Sequence, residues 1–184
     1  MRVFLLSAAV GLLASAYALG DAPVWTVMED SRLGYSLYLG DDEIGGEFTV
    51  FDAHIQFDPD MLATSHFVVS VKPEFVDSQD ATQDNALRGS DFFDVEMYPE
   101  SVFEAHAFQH IEGNRFEGLG QLTVRNQTHP LTLPFTFTTN DSGALLEGDL
   151  VISRLEYGVG QGDWSLIDFL KEEVTVKYRL LLTR

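Results

Sequence analysis

Most of this chain alternates between apolar and polar residues, which is the pattern that predicts half-buried β-strands. The clearest case is residues 131–138, where every second residue is a leucine or a phenylalanine and the others are threonines and Pro134. Pro134 has no N–H to donate, so it indicates an edge position or a bulge within that strand. The last strand of the chain places five apolar residues on one face: Val174, Val176, Tyr178, Leu180 and Leu182.

A longer segment, 45–59, changes parity in its middle. Phe48 and Val50 fall on one face, whereas Phe51, Ile55 and Phe57 fall on the other, which predicts a bulge near Val50–Phe51. Long, bent strands of this kind are needed where a sheet curves into a barrel.

One segment departs from the strand pattern. Residues 77–88 are polar and lack β-branched runs, which predicts a short helix with Ser78 or Asp80 near its N-cap and Gly89 just beyond its end. The helix leads into an aromatic block, 87–99, which contains Phe92, Phe93 and Tyr98. We expect this helical insert, near 79–95, to be a plug or a ligand lid.

Turn signals recur about every 8–14 residues between roughly eight to ten predicted strands, which is the spacing of all-β sandwiches and barrels. The fold class is therefore all-β. A single antiparallel barrel of about eight strands leaves no exposed sheet edges. Such a barrel is either filled by its side chains or holds one small ligand, and periodicity alone does not decide between the two.

Residues 1–20 have the layout of a secretory signal peptide: a positive start at Arg2, an apolar run over 3–13, and a small-x-small pattern at 16–18. Cleavage after Ala18 and cleavage after Gly20 both fit. The alternative, an uncleaved anchor, would have an apolar run short of the ~20 residues of a membrane span. We therefore expect an exported, periplasmic protein whose barrel domain is 21–184.

The formal net charge is −18. Such a chain repels a phosphate backbone and an anionic membrane surface, so we expect no nucleic-acid partner and no stable membrane insertion after signal cleavage. Solubility is favoured by the charge. A homodimer is left open.

Candidate chemistry is scarce. The chain has no cysteine, no G-x-S-x-G motif, and a G-x-G-x-G run at 158–162 that does not open a βαβ unit. His106 and His110 would lie ~13 Å apart along one strand, too far for one metal, and His54 and the remaining histidines show no ligand spacing. We expect neither catalysis nor a metal site, although paired carboxylates among the 29 acids keep a small-substrate enzyme as a minor alternative.

Large apolar side chains are abundant for one small β domain. They form either an ordinary filled core, as in an interaction or stress-protection module, or the walls of a cavity for a lipid-like ligand. Arg88 and Arg154 stand out among only 11 cations. Each could form a structural ion pair or face an anionic head group.

Several short motifs together resemble the YceI family of periplasmic proteins described as lipid- or polyisoprenoid-binding. They run in the family's order across about 22–182 and include Gly46-Glu47-Phe48, Asp91-Phe92-Phe93-Asp94 with Tyr98-Pro99, Gly120-Gln121-Leu122-Thr123, Arg154, and Tyr157-Gly158-Val159-Gly160. The block around Phe92 is the most specific of these. Asn126 stands where the family usually has glycine in a turn, and asparagine tolerates a positive φ.

The resemblance implies a lipocalin-like barrel with an apolar tunnel that holds a long-chain polyisoprenoid, an isoprenoid quinone or a fatty amide, without catalysis or a further cofactor. The predicted ligand-binding residues are Phe51, Ile55, Phe57, Phe92, Phe93, Tyr98, Phe103, Phe135, Ile152, Arg154 and Tyr157.

Overall fold

The computed structural model describes residues 20–184. The predicted signal peptide lies, apart from Gly20, outside the described residues. Within them the chain forms one α-helix, α1 (Ala81–Arg88), and eleven strands. The strands are β1 (Val24–Val27), β2 (Arg32–Leu39), β3 (Asp42–Phe48), β4 (Phe51–Gln56), β5 (His66–Val71), β6 (Val76–Asp77), β7 (Ser101–Glu112), β8 (Arg115–Val124), β9 (Gln127–Asn140), β10 (Gly143–Ser153) and β11 (Glu173–Thr183).

Eight of these strands close into an antiparallel barrel in the order β1-β4-β5-β7-β8-β9-β10-β11, because β1 pairs with both β4 and β11. The closing strand is short. Its Trp25 pairs with Ile55 on one side, and its Val27 pairs with Leu182 on the other. The predicted single antiparallel barrel with one short helix is confirmed.

The remaining strands extend the barrel wall at one end. After β1 the chain continues as β2 along the N-terminal half of β11, where Val176 pairs with Tyr35, and β3 and β6 follow in the same sheet. The strand predicted over 45–59 is interrupted at Thr49–Val50, between β3 and β4. This interruption accounts for the change of parity that indicated a bulge.

The opposite end of the barrel is filled by aromatic rings. Phe57 is wholly buried at its centre, with ring centroids 4.8 to 5.7 Å from those of its neighbours. Those neighbours are Phe67, Phe108, Phe116, Phe135 and Phe137. Edge-to-face contacts of this kind add to the free energy of apolar burial. A Cβ on Gly118 would lie 3.1 Å from the ring of Phe108, so a glycine there leaves room for the ring.

Local sequence signals at the helix and turns agree with the structure. The Asp80 carboxylate accepts hydrogen bonds from the backbone N–H groups of Thr82 and Gln83, at 2.7 and 3.1 Å, so Asp80 is the N-cap of α1. Asn126 adopts a φ of 62°, as its place in the turn required. The described pairing of β9 with β10 ends at Thr136, so Pro134, two residues earlier in β9, lies outside that pairing.

Candidate functional site

An apolar cavity of about 210 Å³ lies between the aromatic end and the segment that contains α1. Its walls are inward-facing side chains from β2–β5 and β7–β11, together with Leu87 of α1. Within the described residues, the lining offers almost no polar surface. This composition suits a ligand that is itself largely hydrocarbon.

The structure brings eight of the eleven predicted site residues to this cavity: Phe51, Ile55, Phe92, Phe93, Phe103, Ile152, Arg154 and Tyr157. The other three lie elsewhere. Phe57 and Phe135 belong to the filled aromatic end. Tyr98 packs under the guanidinium of Arg125, whose carbon lies 5.7 Å from the ring centroid.

Aliphatic residues make up much of the wall that the sequence prediction left out. They include Leu33, Leu37, Val69, Leu122, Leu131, Leu133, Leu146, Leu150, Val174, Val176 and Leu180. The signal that could have found them was present, since several lie on the apolar faces of clearly alternating strands. Aromatic residues were given too much weight relative to that alternation.

One mouth of the cavity is covered by residues 81–99, which we call the closing segment. Phe92 is buried, with its ring centroid 5.4 Å from that of Trp164. Phe93 is half-buried and lies edge-on to Phe48, at 5.7 Å. Both rings also line the cavity, so the closing segment is part of the wall and not merely a loop above it.

Arg154 stabilises the loop between β10 and β11, residues 154–172. Its guanidinium is buried and donates five hydrogen bonds to backbone carbonyl oxygens. The acceptors are Lys171, Val159, Gly160, Trp164 and Leu170, at 2.6 to 3.3 Å. Burial lowers the pKa of the Arg154 guanidinium, and the nearby Glu172 carboxylate opposes that effect. Its donors are therefore used by the protein and do not face a ligand head group.

Arg125 connects the same loop to the closing segment, and sequence reasoning missed it. One of its nitrogens donates to the carbonyl oxygens of Phe92 and of Gly158, the latter at 2.8 Å. Arg88 also has a structural role, since it donates to the carbonyl oxygens of Glu74 and Val76, at 2.7 and 3.1 Å. A lone arginine in a turn has no periodicity that would reveal such contacts.

Two tyrosine hydroxyls mark the polar points of the wall. Tyr178 donates to the carbonyl oxygen of Pro134. The hydroxyl of Tyr35 is buried and, among the described residues, has no hydrogen-bond partner. Burial, reinforced by the Asp84 carboxylate, raises the pKa of Tyr35 to about 12, so this hydroxyl keeps its proton at neutral pH. It lies beside Gly46, near the side chains of Gln83 and Asp84, and offers no surface to the cavity.

A closed antiparallel barrel with an interior apolar cavity is the architecture of a class of proteins that bind small apolar molecules. The particular family follows from comparison with known proteins. A YceI-like domain model matches residues 26–182, and the chain belongs to the YceI family.

Named relatives agree with this assignment. A UPF0312 protein of Vibrio cholerae is 32% identical over 100 residues, covering 54% of this chain and 53% of the relative. A UPF0312 protein of Photorhabdus laumondii is 32% identical over 96 residues, covering 52% of this chain and 50% of the relative. The chain thus spans about half the length of these curated relatives in the alignments.

Solved structures show the same fold. BcnA of Burkholderia cenocepacia superposes with a TM-score of 0.82 at 26% identity, over 85% of this chain and 99% of BcnA. A polyisoprenoid binding domain from Saccharophagus degradans, described as implicated in plant cell wall breakdown, gives a TM-score of 0.69 at 10% identity. That match covers 87% of this chain and 97% of the other. In the part of the chain that the structure describes, no helix is long and apolar enough to span a membrane.

Proposed function

We propose that this protein is an exported carrier that encloses the hydrocarbon chain of a polyisoprenoid, an isoprenoid quinone or a fatty amide, without catalysis. The observation that carries the proposal is the interior cavity, whose walls are apolar and whose arginine is already fully hydrogen-bonded. Family membership and the fold shared with a polyisoprenoid binding domain support it. Export to the periplasm rests on residues 1–20 alone.

The size of the cavity constrains how a long ligand would be held. At about 210 Å³ it lies below the ~300–1,000 Å³ of typical small-molecule sites. A long chain therefore needs the cavity to widen, and the closing segment is a part of its wall that lies outside the sheet. The proposal accordingly includes movement of residues 81–99 when a ligand enters.

The first test is native mass spectrometry of the purified protein, followed by organic extraction. A stoichiometric additional mass that extracts as a polyprenyl or acyl compound supports the carrier. An unliganded mass, unchanged after incubation with a polyprenyl lipid, contradicts it and favours an interaction module with a filled core.

A matched pair of variants locates the ligand. Leu150 faces the cavity, whereas its neighbour Val151 is 56% exposed on the outer face of the same strand. We expect L150W to lower the amount of retained or rebound lipid by filling the cavity, and V151W to leave it unchanged. Equal retention by the two variants, with both folded by circular dichroism, would place the ligand outside the barrel.

A further inference from the structure

Three adjacent strands bring histidines together on the outer surface of the barrel. Phe67 of β5 pairs with Ala105 of β7, and both side chains point into the core. Because side chains alternate along a strand, His66 and His106 lie side by side on the outer face. Their rings stack with centroids 4.3 Å apart and an interplanar angle of 16°.

Glu104 completes the cluster. Its Oε1 lies 3.1 Å from Nε2 of His106 and 3.6 Å from Nε2 of His66. All three candidate ligand atoms lie within 4.8 Å of one another. His54 of β4 is a further imidazole nearby, with its ring centroid 6.0 Å from that of His66.

We propose that His66, Glu104 and His106 bind a divalent transition cation such as Zn²⁺. Two imidazoles and one carboxylate are a donor set that zinc uses in proteins, with a fourth position left to water. Metal–ligand distances of about 2.0–2.1 Å in a tetrahedral site place ligand atoms roughly 3.3 Å apart. The two separations from Glu104, 3.1 and 3.6 Å, bracket that value. The stacked rings of His66 and His106 must rotate out of their parallel arrangement so that both Nε2 lone pairs point at the ion.

A second observation concerns His66. Its Nε2 is closed to solvent and has no hydrogen-bond partner among the described residues, although the side chain as a whole is 31% exposed. A shielded nitrogen without a partner is unfavourable unless something else satisfies it. A cation between His66 and Glu104 would bind to this nitrogen and so satisfy it. Imidazole ligands also favour zinc, copper or nickel over calcium and magnesium, which prefer oxygen donors.

Spacing along the sequence concealed this cluster, because its members come from two strands. The pair that does share one strand, His106 and His110, is not brought together. Nε2 of His110 instead lies 2.8 Å from the carbonyl oxygen of Gly113, within its hairpin turn. The expectation that the histidines form no metal site therefore rested on distances within a strand and not between strands.

The decisive experiment is titration calorimetry with Zn²⁺ at neutral pH and physiological salt, using protein without a histidine tag. We expect one tight equivalent per chain. In zinc sites, loss of a residue that only hydrogen-bonds to a metal ligand lowers the affinity by about 10–100-fold. H66A and H106A each remove a ligand itself, so we expect each to weaken Zn²⁺ binding by about 100-fold or more. E104Q keeps the shape of the side chain, and we expect it to weaken binding as well.

H110A is the matched control, since it removes a histidine from the same strand and should leave the tight equivalent intact. Co²⁺ provides an independent readout, because a tetrahedral complex gives visible absorption that H66A should abolish. The proposal is overturned if the wild-type protein binds Zn²⁺ no more tightly than H66A, or if H110A weakens binding as much as H106A. Circular dichroism of every variant shows whether a loss reflects unfolding.

Discussion

At the scale of single residues, Arg154 shows how a cation can be buried in an apolar wall without serving a ligand. Burying a charge is costly unless hydrogen bonds compensate for it. Five backbone carbonyl oxygens do so here, and in return the guanidinium satisfies carbonyls of a loop that has no sheet partner for them. Arg154 therefore stabilises the fold that forms the cavity.

We expect R154M to destabilise the protein by at least about 3 kcal/mol, because several carbonyl oxygens lose their donor while remaining shielded from water. Urea unfolding at neutral pH measures this change in the free energy of unfolding. R115M is the control, since Arg115 is 60% exposed and its ion pair with Glu112 should contribute less than about 1 kcal/mol. Equal effects of the two substitutions would show that the Arg154 hydrogen bonds contribute little.

Tyr35 leads to a different expectation, because its hydroxyl is buried without a partner. We expect Y35F to change the free energy of unfolding by less than about 1 kcal/mol, since no protein hydrogen bond is lost. Because the hydroxyl offers no surface to the cavity, Y35F should leave the affinities for a long-chain alcohol and for an alkane-like ligand of equal length unchanged. Competition with a fluorescent hydrophobic probe measures both. A loss of affinity for the alcohol alone would contradict this expectation and assign the hydroxyl to head-group recognition.

At the scale of elements, the closing segment is stabilised by polar contacts at the start of α1. The Asp84 carboxylate accepts hydrogen bonds from the backbone N–H and the hydroxyl of Ser78, at 2.8 and 2.6 Å. These bonds, with help from Arg88, lower the pKa of Asp84 below its ordinary value of 3.8. The folded state thus favours the ionised carboxylate.

A depressed pKa contributes stability that is complete above pH 3.8 and is lost as the pH falls through the lower folded-state value. We therefore expect D84N to be less stable than the wild type at pH 7, with a difference that shrinks as the pH falls below about 4. Urea unfolding at pH 7, 4 and 3 measures it. The control is D141N, which changes an exposed carboxylate in the β9–β10 turn. Its free energy of unfolding should stay close to that of the wild type at all three pH values. A D84N difference that is as large at pH 3 as at pH 7 would contradict this account.

Elements were largely predictable from the sequence, because alternation and capping are local properties. The strict apolar face of 131–137 and the N-cap at Asp80 both follow from neighbouring residues. Strand partners are not local. Nothing in the pattern of β1 indicates that it pairs with β4 and β11, and nothing in the position of His66 indicates His106 as its neighbour. The aliphatic residues of the cavity wall are an intermediate case. Strand alternation indicated them, but the prediction gave more weight to aromatic residues.

At the scale of the whole molecule, the cavity offers a ligand apolar surface and almost no polar surface. Each buried CH₂ contributes about 0.8 kcal/mol, which corresponds to about a fourfold gain in affinity. For a series of straight-chain alcohols we expect affinity to rise by about this factor per carbon and then level off when the chain fills the cavity. Probe competition measures the series.

The point at which affinity levels off should move to shorter chains in L150W and stay in place in V151W. An affinity independent of chain length would instead indicate attachment at the surface.

The closure of the barrel by β1 also has a consequence for the order of folding. Strand β1, near the start of the described chain, is held between β4 and the last strand, β11. Pairings between such distant parts of a chain form slowly, since a large loop must first close. The ring cannot be completed until β11 has been synthesised. In a nascent chain the β11-facing edges of β1 and β10 therefore stay unpaired until β11 has left the ribosome, and the barrel is an open sheet until then.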